Sequence, residues 1–375
     1  MNCIAVSDNC LAISKGLHID CYNSSRHNFF NVPGKNGSQE NDHIADIVIS
    51  SDGKNLALIT SVSKQLIICS LPGFETTINL NLPRSASKIR FTVDNSQILV
   101  ADKSGDVLIY DVSNESSGTK LLGHLSLLLD VLQTNDGKYI LSSDRDEKIR
   151  VSCYPKTYNI ETYCLGHNEF VSHIEILPHD EKYLTSASGD GTIKCWDYVK
   201  GTLCHTINAS LDVKDDALKE NFTKIMDEEG VEVTTLPIVH YTVTALNEDT
   251  SVLAVAVHSY NKLLIYTIET RNMQFNHKKQ DDIMLERFPS AVKFHKKSLF
   301  VYDDADKTVS VFKVVCAESK LTFEFDKKIT MFDNVNVNFE PKPSIDAIKV
   351  LYKRKFDNVQ EYQERKKQRL EKASL

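Results

Sequence analysis

Four side chains in this 375-residue sequence have the types and spacing of a reaction centre: His167, Ser186, Asp190 and Trp196. A histidine that relays a proton between a hydroxyl and a carboxylate is the core of Ser-His-Asp hydrolysis. The set returns one repeat earlier, however, as His124, Ser142 and Asp146, with Ser152 where the tryptophan would stand. Catalytic groups seldom recur at the period of a structural repeat, whereas groups that hold a repeat together do. The set therefore reads as a buried hydrogen-bonded tetrad in which each polar group finds a partner. No Gly-x-Gly-x-x-Gly, Gly-x-x-x-x-Gly-Lys-Ser/Thr, Gly-x-Ser-x-Gly or His-Glu-x-x-His stretch occurs. The chain is expected to present surfaces and to catalyse nothing by itself.

A second concentration of functional groups is SSDRDEKIRVSCYP, Ser142 to Pro155, with Asp144, Arg145, Asp146, Glu147, Lys148 and Arg150 close together. Only IRVSCY reads as strand, which puts most of the charges in the turn before it, facing water. Exposed ion pairs contribute only ~0–1 kcal/mol each to folding. A charge pattern that selects a partner is the sharper reading of the cluster, and a solvated turn the plain one.

The elements that position these groups are repeats. GHNEFVSHIEILPHDEKYLTSASGDGTIKCWDY, Gly166 to Tyr198, contains a strand-like run, a polar turn, a small-residue strand, Asp-Gly and a third strand closing on Trp196-Asp197. It resembles a WD repeat, whose four short strands make one propeller blade. Aligning the third strands places Cys21, Cys69, Tyr110, Ser152, Trp196, Tyr266 and Phe312 in register, with separations of 48, 41, 42, 44, 70 and 46 residues. Five of the six lie close to the ~40–45-residue WD period. Alternating, β-branched runs such as IADIVIS with NLALIT supply the first and second strands. The expected fold is all-β, a seven-bladed WD-repeat propeller over 1–340 with a short basic tail over 341–375.

The 70-residue gap holds an acidic insertion at about 209–235, between blades five and six. It reads as a solvated loop or short helix, or as an arm that meets a basic partner. The tail carries Lys353, Arg354, Lys355, Arg365, Lys366, Lys367 and Arg369, with a helix expected from Asn358 on. A solvated terminal helix is the plain reading of this tail, and the seven residues also suit nuclear import or contact with RNA phosphates. A net charge of −7 confines nucleic-acid contact to such local patches. Nine scattered cysteines, no zinc-ligand spacing, no secretory signal and no long apolar run suggest reduced thiols, no metal and no membrane.

DRDEKIRVS, the Tyr-Pro step, CLGHNEFVS and the C-terminal FDNVQEYQERKKQRLE together resemble the WD-repeat, non-catalytic subunit of the eukaryotic tRNA (guanine-N7)-methyltransferase. The resemblance implies a heterodimer in which the propeller binds a Rossmann-like methyltransferase side-on and stabilises it. The catalytic subunit would hold S-adenosylmethionine, no cofactor being expected in this chain, and would methylate a guanine of the tRNA variable loop. Transfer RNA would be gripped mainly by the partner, in the nucleus alone or shared with the cytoplasm. The implied partner surface is Asp144, Arg145, Asp146, Glu147, Lys148, His167, Glu169, Phe170 and His173. His173 departs from the arginine of related animal sequences and is mostly uncharged at neutral pH. A generic WD adaptor, such as a ubiquitin-ligase substrate receptor, is the alternative. Those receptors show Trp-Asp-x-Arg, whereas here Tyr198 and Val199 follow Trp196-Asp197.

Overall fold

Seven antiparallel sheets, each built from one contiguous stretch of chain, stand in a ring. The computed structural model describes residues 2–23, 26–32, 42–115, 117–317, 320–333, 335, 337, 339 and 344–353. The blades span 4–31, 44–81, 86–123, 128–165, 171–208, 238–284 and 291–330. The first strands of successive blades neighbour one another all the way round and enclose a central channel. The fifth to seventh residues of the aligned set, Trp196, Tyr266 and Phe312, pair with Leu184, Leu253 and Leu299, and Cys69, Tyr110 and Ser152 keep the same register.

Burial falls from the middle of each blade outward. Second strands such as Tyr183–Ser188 are buried at every position, because both faces meet neighbouring blades. Outer strands such as Gln274–Lys279 are mostly exposed. Among the described residues there are seven apolar clusters, one at each blade junction. A fully buried Leu, Ile or Val contributes ~1.5–3 kcal/mol, so the ring is held by its seams. Polar side chains stitch the same seams: Asp46 Oδ2 accepts from Ile89 N (3.0 Å), and Asp130 Oδ2 from Ile174 N (3.1 Å). Among the described residues, no strand is shared between the first and last blades. Blades one and seven are joined by side-chain packing, by Lys15 Nζ with Asp304 Oδ1 (2.9 Å), and by Phe332 N donating to Asp20 Oδ2 (2.5 Å).

The acidic insertion is more than a solvated loop. It folds as α1 (Ala209–Asp212) and α2 (Asp216–Glu228), the latter capped by the Asp215 carboxylate accepting from Leu218 N. Phe222 and Met226 of α2 are buried in the core between blades five and six. A third short helix, α3 (Ser344–Lys349), lies against the same core. The tail helix expected from Asn358 on, and Arg354, Lys355, Arg365, Lys366, Lys367 and Arg369, lie outside the described residues.

Candidate functional site

In blade five the tetrad forms one directed chain of hydrogen bonds. Trp196 Nε1 donates to Ser186 Oγ (2.8 Å), Ser186 Oγ meets His167 Nε2 (2.7 Å), and His167 Nδ1 meets Asp190 Oδ2 (2.9 Å). All four residues are buried. Desolvation holds His167 below the ordinary histidine value, and Asp190, despite its own burial, lies well below the carboxylate range beside His167. The Ser186 hydroxyl is committed to the indole and the imidazole and shut away from solvent, so it cannot serve as a nucleophile.

Blade four differs at two points. The aspartate that meets His124 is Asp144 (Nδ1 to Oδ2, 2.9 Å), and not Asp146 as the alignment suggested. Alignment on the third strand counts back to Asp146. Asp144, however, ends the second strand two residues after Ser142, where its other oxygen accepts from Asp146 N (2.9 Å) and Lys148 N (3.1 Å). The second point concerns Arg150, a charged residue within the third strand that is only 9% exposed. With Ser152 in place of a tryptophan, its guanidinium donates to Ser152 Oγ (2.9 Å), Gly123 O (3.1 Å) and Thr157 O (3.0 Å).

The turn carries its remaining charges outward. Arg145, Asp146 and Glu147 are half-buried and Lys148 is exposed. Glu147 has φ +70°, the conformation that glycine supplies in the matching turns of blades three and five (Gly105, Gly191). A side chain is excluded there: a Cβ on Gly105 would lie 2.5 Å from His124 O, and one on Gly191 2.7 Å from Ser210 Cβ. The blade-four turn accepts the side chain at a cost of order 1 kcal/mol and projects a carboxylate over the rim. Partial burial first, and the charge of Glu147 second, push the nearby Glu169 carboxyl up to about 7.

The nine residues implied as partner surface thus separate into three groups. Arg145, Asp146, Glu147 and Lys148 lie together on the rim with Glu169 beside them. Asp144, His167 and Phe170 are buried in blades four and five. His173 lies apart, in the wall of the central channel, with Nδ1 2.9 Å from Ser172 Oγ. Burial, with Lys88 and Arg90 behind it, holds its imidazole down to about 3.

Two features had not been singled out from the sequence. The channel wall holds an ion network, in which Lys88 pairs with Asp46 (3.0 Å), Arg90 with Asp130 (3.3 Å) and Glu175 (3.1 Å), and Lys293 with Glu175 (3.5 Å). Against the pull of burial, Arg90 and Lys293 hold Glu175 down to about 2. A signal existed: each of these residues sits mid-way along a first strand, where a wholly apolar blade core would carry none. The second feature is the segment 344–353, which straps blades four to six. Lys349 Nζ meets Glu229 Oε1 (2.9 Å), so the basic partner of the acidic insertion in this structure is the chain's own C-terminal segment. Tyr352 is buried edge-on to Phe170 (5.1 Å) and donates to Gly189 O (3.0 Å). Next to it Lys353, one of the residues read as an RNA contact, lies 2.6 Å from Glu147 Oε1 and 3.9 Å from Asp146 Oδ1.

Among the described residues no helix is long and apolar enough to cross a membrane. The family model described as tRNA methyltransferase TRM82 WD40 domain matches residues 23–120 and 110–319. The Culex quinquefasciatus protein named tRNA (guanine-N(7)-)-methyltransferase non-catalytic subunit wuho is 30% identical over 362 residues, 91% of this chain and 80% of that protein. The Xenopus laevis protein named tRNA (guanine-N(7)-)-methyltransferase non-catalytic subunit wdr4 is 39% identical over 195 residues, 51% of this chain; the match spans about half of the relative (49%). Among solved structures, a chain of the mitotic checkpoint complex superposes with a TM-score of 0.66 over 84% of this chain and 87% of that one. At 14% identity it speaks for the fold alone.

Proposed function

The chain belongs to the tRNA methyltransferase TRM82 WD40-domain family, and from that premise we propose that it is the non-catalytic subunit of a tRNA (guanine-N7)-methyltransferase. It binds the catalytic subunit in a heterodimer and supports N7-methylguanosine formation in the tRNA variable loop. Carrying this reading is the rim turn, where four charged side chains of blade four crowd into a strained loop that adds little to folding. A surface that gives up stability to display charge suits the selection and orientation of a partner.

The propeller contributes no reacting group. It acts by mass action: binding only the folded, productive form of the enzyme raises that form's population. S-adenosylmethionine belongs to the partner subunit, and the tRNA is held chiefly there, with the basic tail as an auxiliary. The nucleus is the proposed location. Replacing Arg145 and Lys148 together by glutamate is expected to abolish co-purification with the catalytic subunit while the circular dichroism and gel-filtration profile of the propeller stay unchanged. Association at the wild-type level would exclude this turn as the docking surface. The generic-adaptor reading finds no further support in the geometry.

A further inference from the structure

Charge pairing on the rim is lopsided. Asp144 is used up inside the blade, on His124 and on the N–H groups of Asp146 and Lys148. Glu147 and Asp146 both face the Lys353 ammonium, at 2.6 and 3.9 Å. The more weakly paired groups among the described residues are the cations. Among the described residues Lys148 Nζ donates only to the backbone oxygen of Asp146 (3.2 Å). Arg145 Nε is buried without a hydrogen-bond acceptor, and its ion pair with Asp146 Oδ1 is a long one at 4.0 Å, beyond hydrogen-bond reach.

Lys353 is not placed there by chance contact of a loose terminus. The residue before it, Tyr352, is 4% exposed, packed on Phe170 and bonded to Gly189 O. One turn earlier Ile348 is buried, and Lys349 is tied to Glu229 of the insertion. The strap therefore delivers one ammonium to a fixed point between the carboxylates of the turn. Its bond to Glu147 raises the basicity of Lys353, which keeps it charged throughout the physiological range.

We propose that Lys353 is a positioning residue of the docking surface: by occupying Glu147 it prevents that carboxylate from pairing with Lys148, and leaves the Lys148 ammonium free for a carboxylate on the partner. This rests on the rim turn being the surface that the catalytic subunit meets. Without Lys353, Glu147 would turn back on its neighbour Lys148. A fraction of chains would then be unable to dock, and the apparent affinity would fall in proportion to that fraction. For a half-exposed pair, the fall is about 2- to 5-fold.

The test is equilibrium binding of the full chain to the purified catalytic subunit, with melting temperature as a control on folding. Lys353→Met is expected to raise Kd about 2- to 5-fold at an unchanged melting temperature, and Lys353→Arg to bind as wild type does. A purely structural role for the lysine would not predict the next result: adding Glu147→Gln to Lys353→Met restores wild-type affinity, because the competing carboxylate has gone. Binding of Lys353→Met as tight as wild type or tighter, or failure of Glu147→Gln to restore it, would overturn the proposal. A separate arm tests the premise. If the Arg145→Glu, Lys148→Glu double variant binds like wild type, the docking reading falls as well. If that variant loses binding while Lys353→Met does not, only the role of Lys353 is lost.

Discussion

Blades four and five are neighbours with the same strand order and the same inner histidine, yet they dispose of their polar groups in opposite ways. Blade five closes a relay from Trp196 to Asp190 in which every donor has an acceptor and nothing reaches solvent. Blade four lacks the indole, fills the space with Arg150, and lets its turn carry charge outward. One blade commits its polar residues to its own rigidity; the other keeps the Ser142–His124–Asp144 part of the relay and turns the four charges that follow it outward. A repeat fold can lend one module to recognition because the flanking seams, each with its own apolar cluster, hold that module in place.

The comparison can be broken at its strongest point first. Trp196→Ala removes the largest fully buried side chain and is expected to cost ~3–5 kcal/mol in urea unfolding. The blade-four counterpart, Arg150→Leu, strands two carbonyls and a hydroxyl and should cost less, about 1–3 kcal/mol. Equal losses would mean that the arginine supports its blade as fully as the indole does.

A smaller effect sharpens the assignment of the blade-four aspartate. Asp144→Asn is expected to destabilise the protein by about 1.5–3 kcal/mol, the range for bonds that involve a charged group. Asp146→Asn should stay within about 0.5 kcal/mol of wild type. Matched thermal melts of the two variants decide it, and a larger loss at Asp146 would reverse the assignment.

The smallest expected effect concerns the strained rim. Glu147→Gly relieves the left-handed backbone and is expected to raise the unfolding free energy by up to about 1 kcal/mol, read as a higher urea midpoint. The same change removes the pair with Lys353. A lower midpoint would show that the ion pair outweighs the strain.

Much of this architecture was legible in the sequence because repeats expose their own errors: seven third strands could be checked against one another. The tetrad was legible for the same reason, since Trp196 fixed the register. The Asp144 assignment failed where alignment treats a turn as rigid. Blade five takes its aspartate four residues after Ser186, within the turn, and blade four takes it two residues after Ser142, from the strand end. The burial of Arg150 was not legible, because the space left by Ser152 shows in the sequence only as a missing tryptophan. The burial of Phe170 depends on a residue 163 positions after Gly189, Tyr352, as well as on Gly189 itself, whose added Cβ would lie 2.4 Å from the Phe170 ring. No local pattern announces contacts of that range.

The seam between the first and last blades also has a consequence for synthesis. Leu11 and Ile13 are covered by Ala291, Tyr302 and Val309 of blade seven, with no strand from elsewhere to stand in for them. On the ribosome, blade one therefore waits with one apolar face bare until nearly 300 further residues have emerged. At ~5–20 residues per second that is roughly 15–60 s. The N-terminal blade is thus the part of the propeller with the longest need of a chaperone, and the strap, made after the seventh blade, is laid over a finished ring.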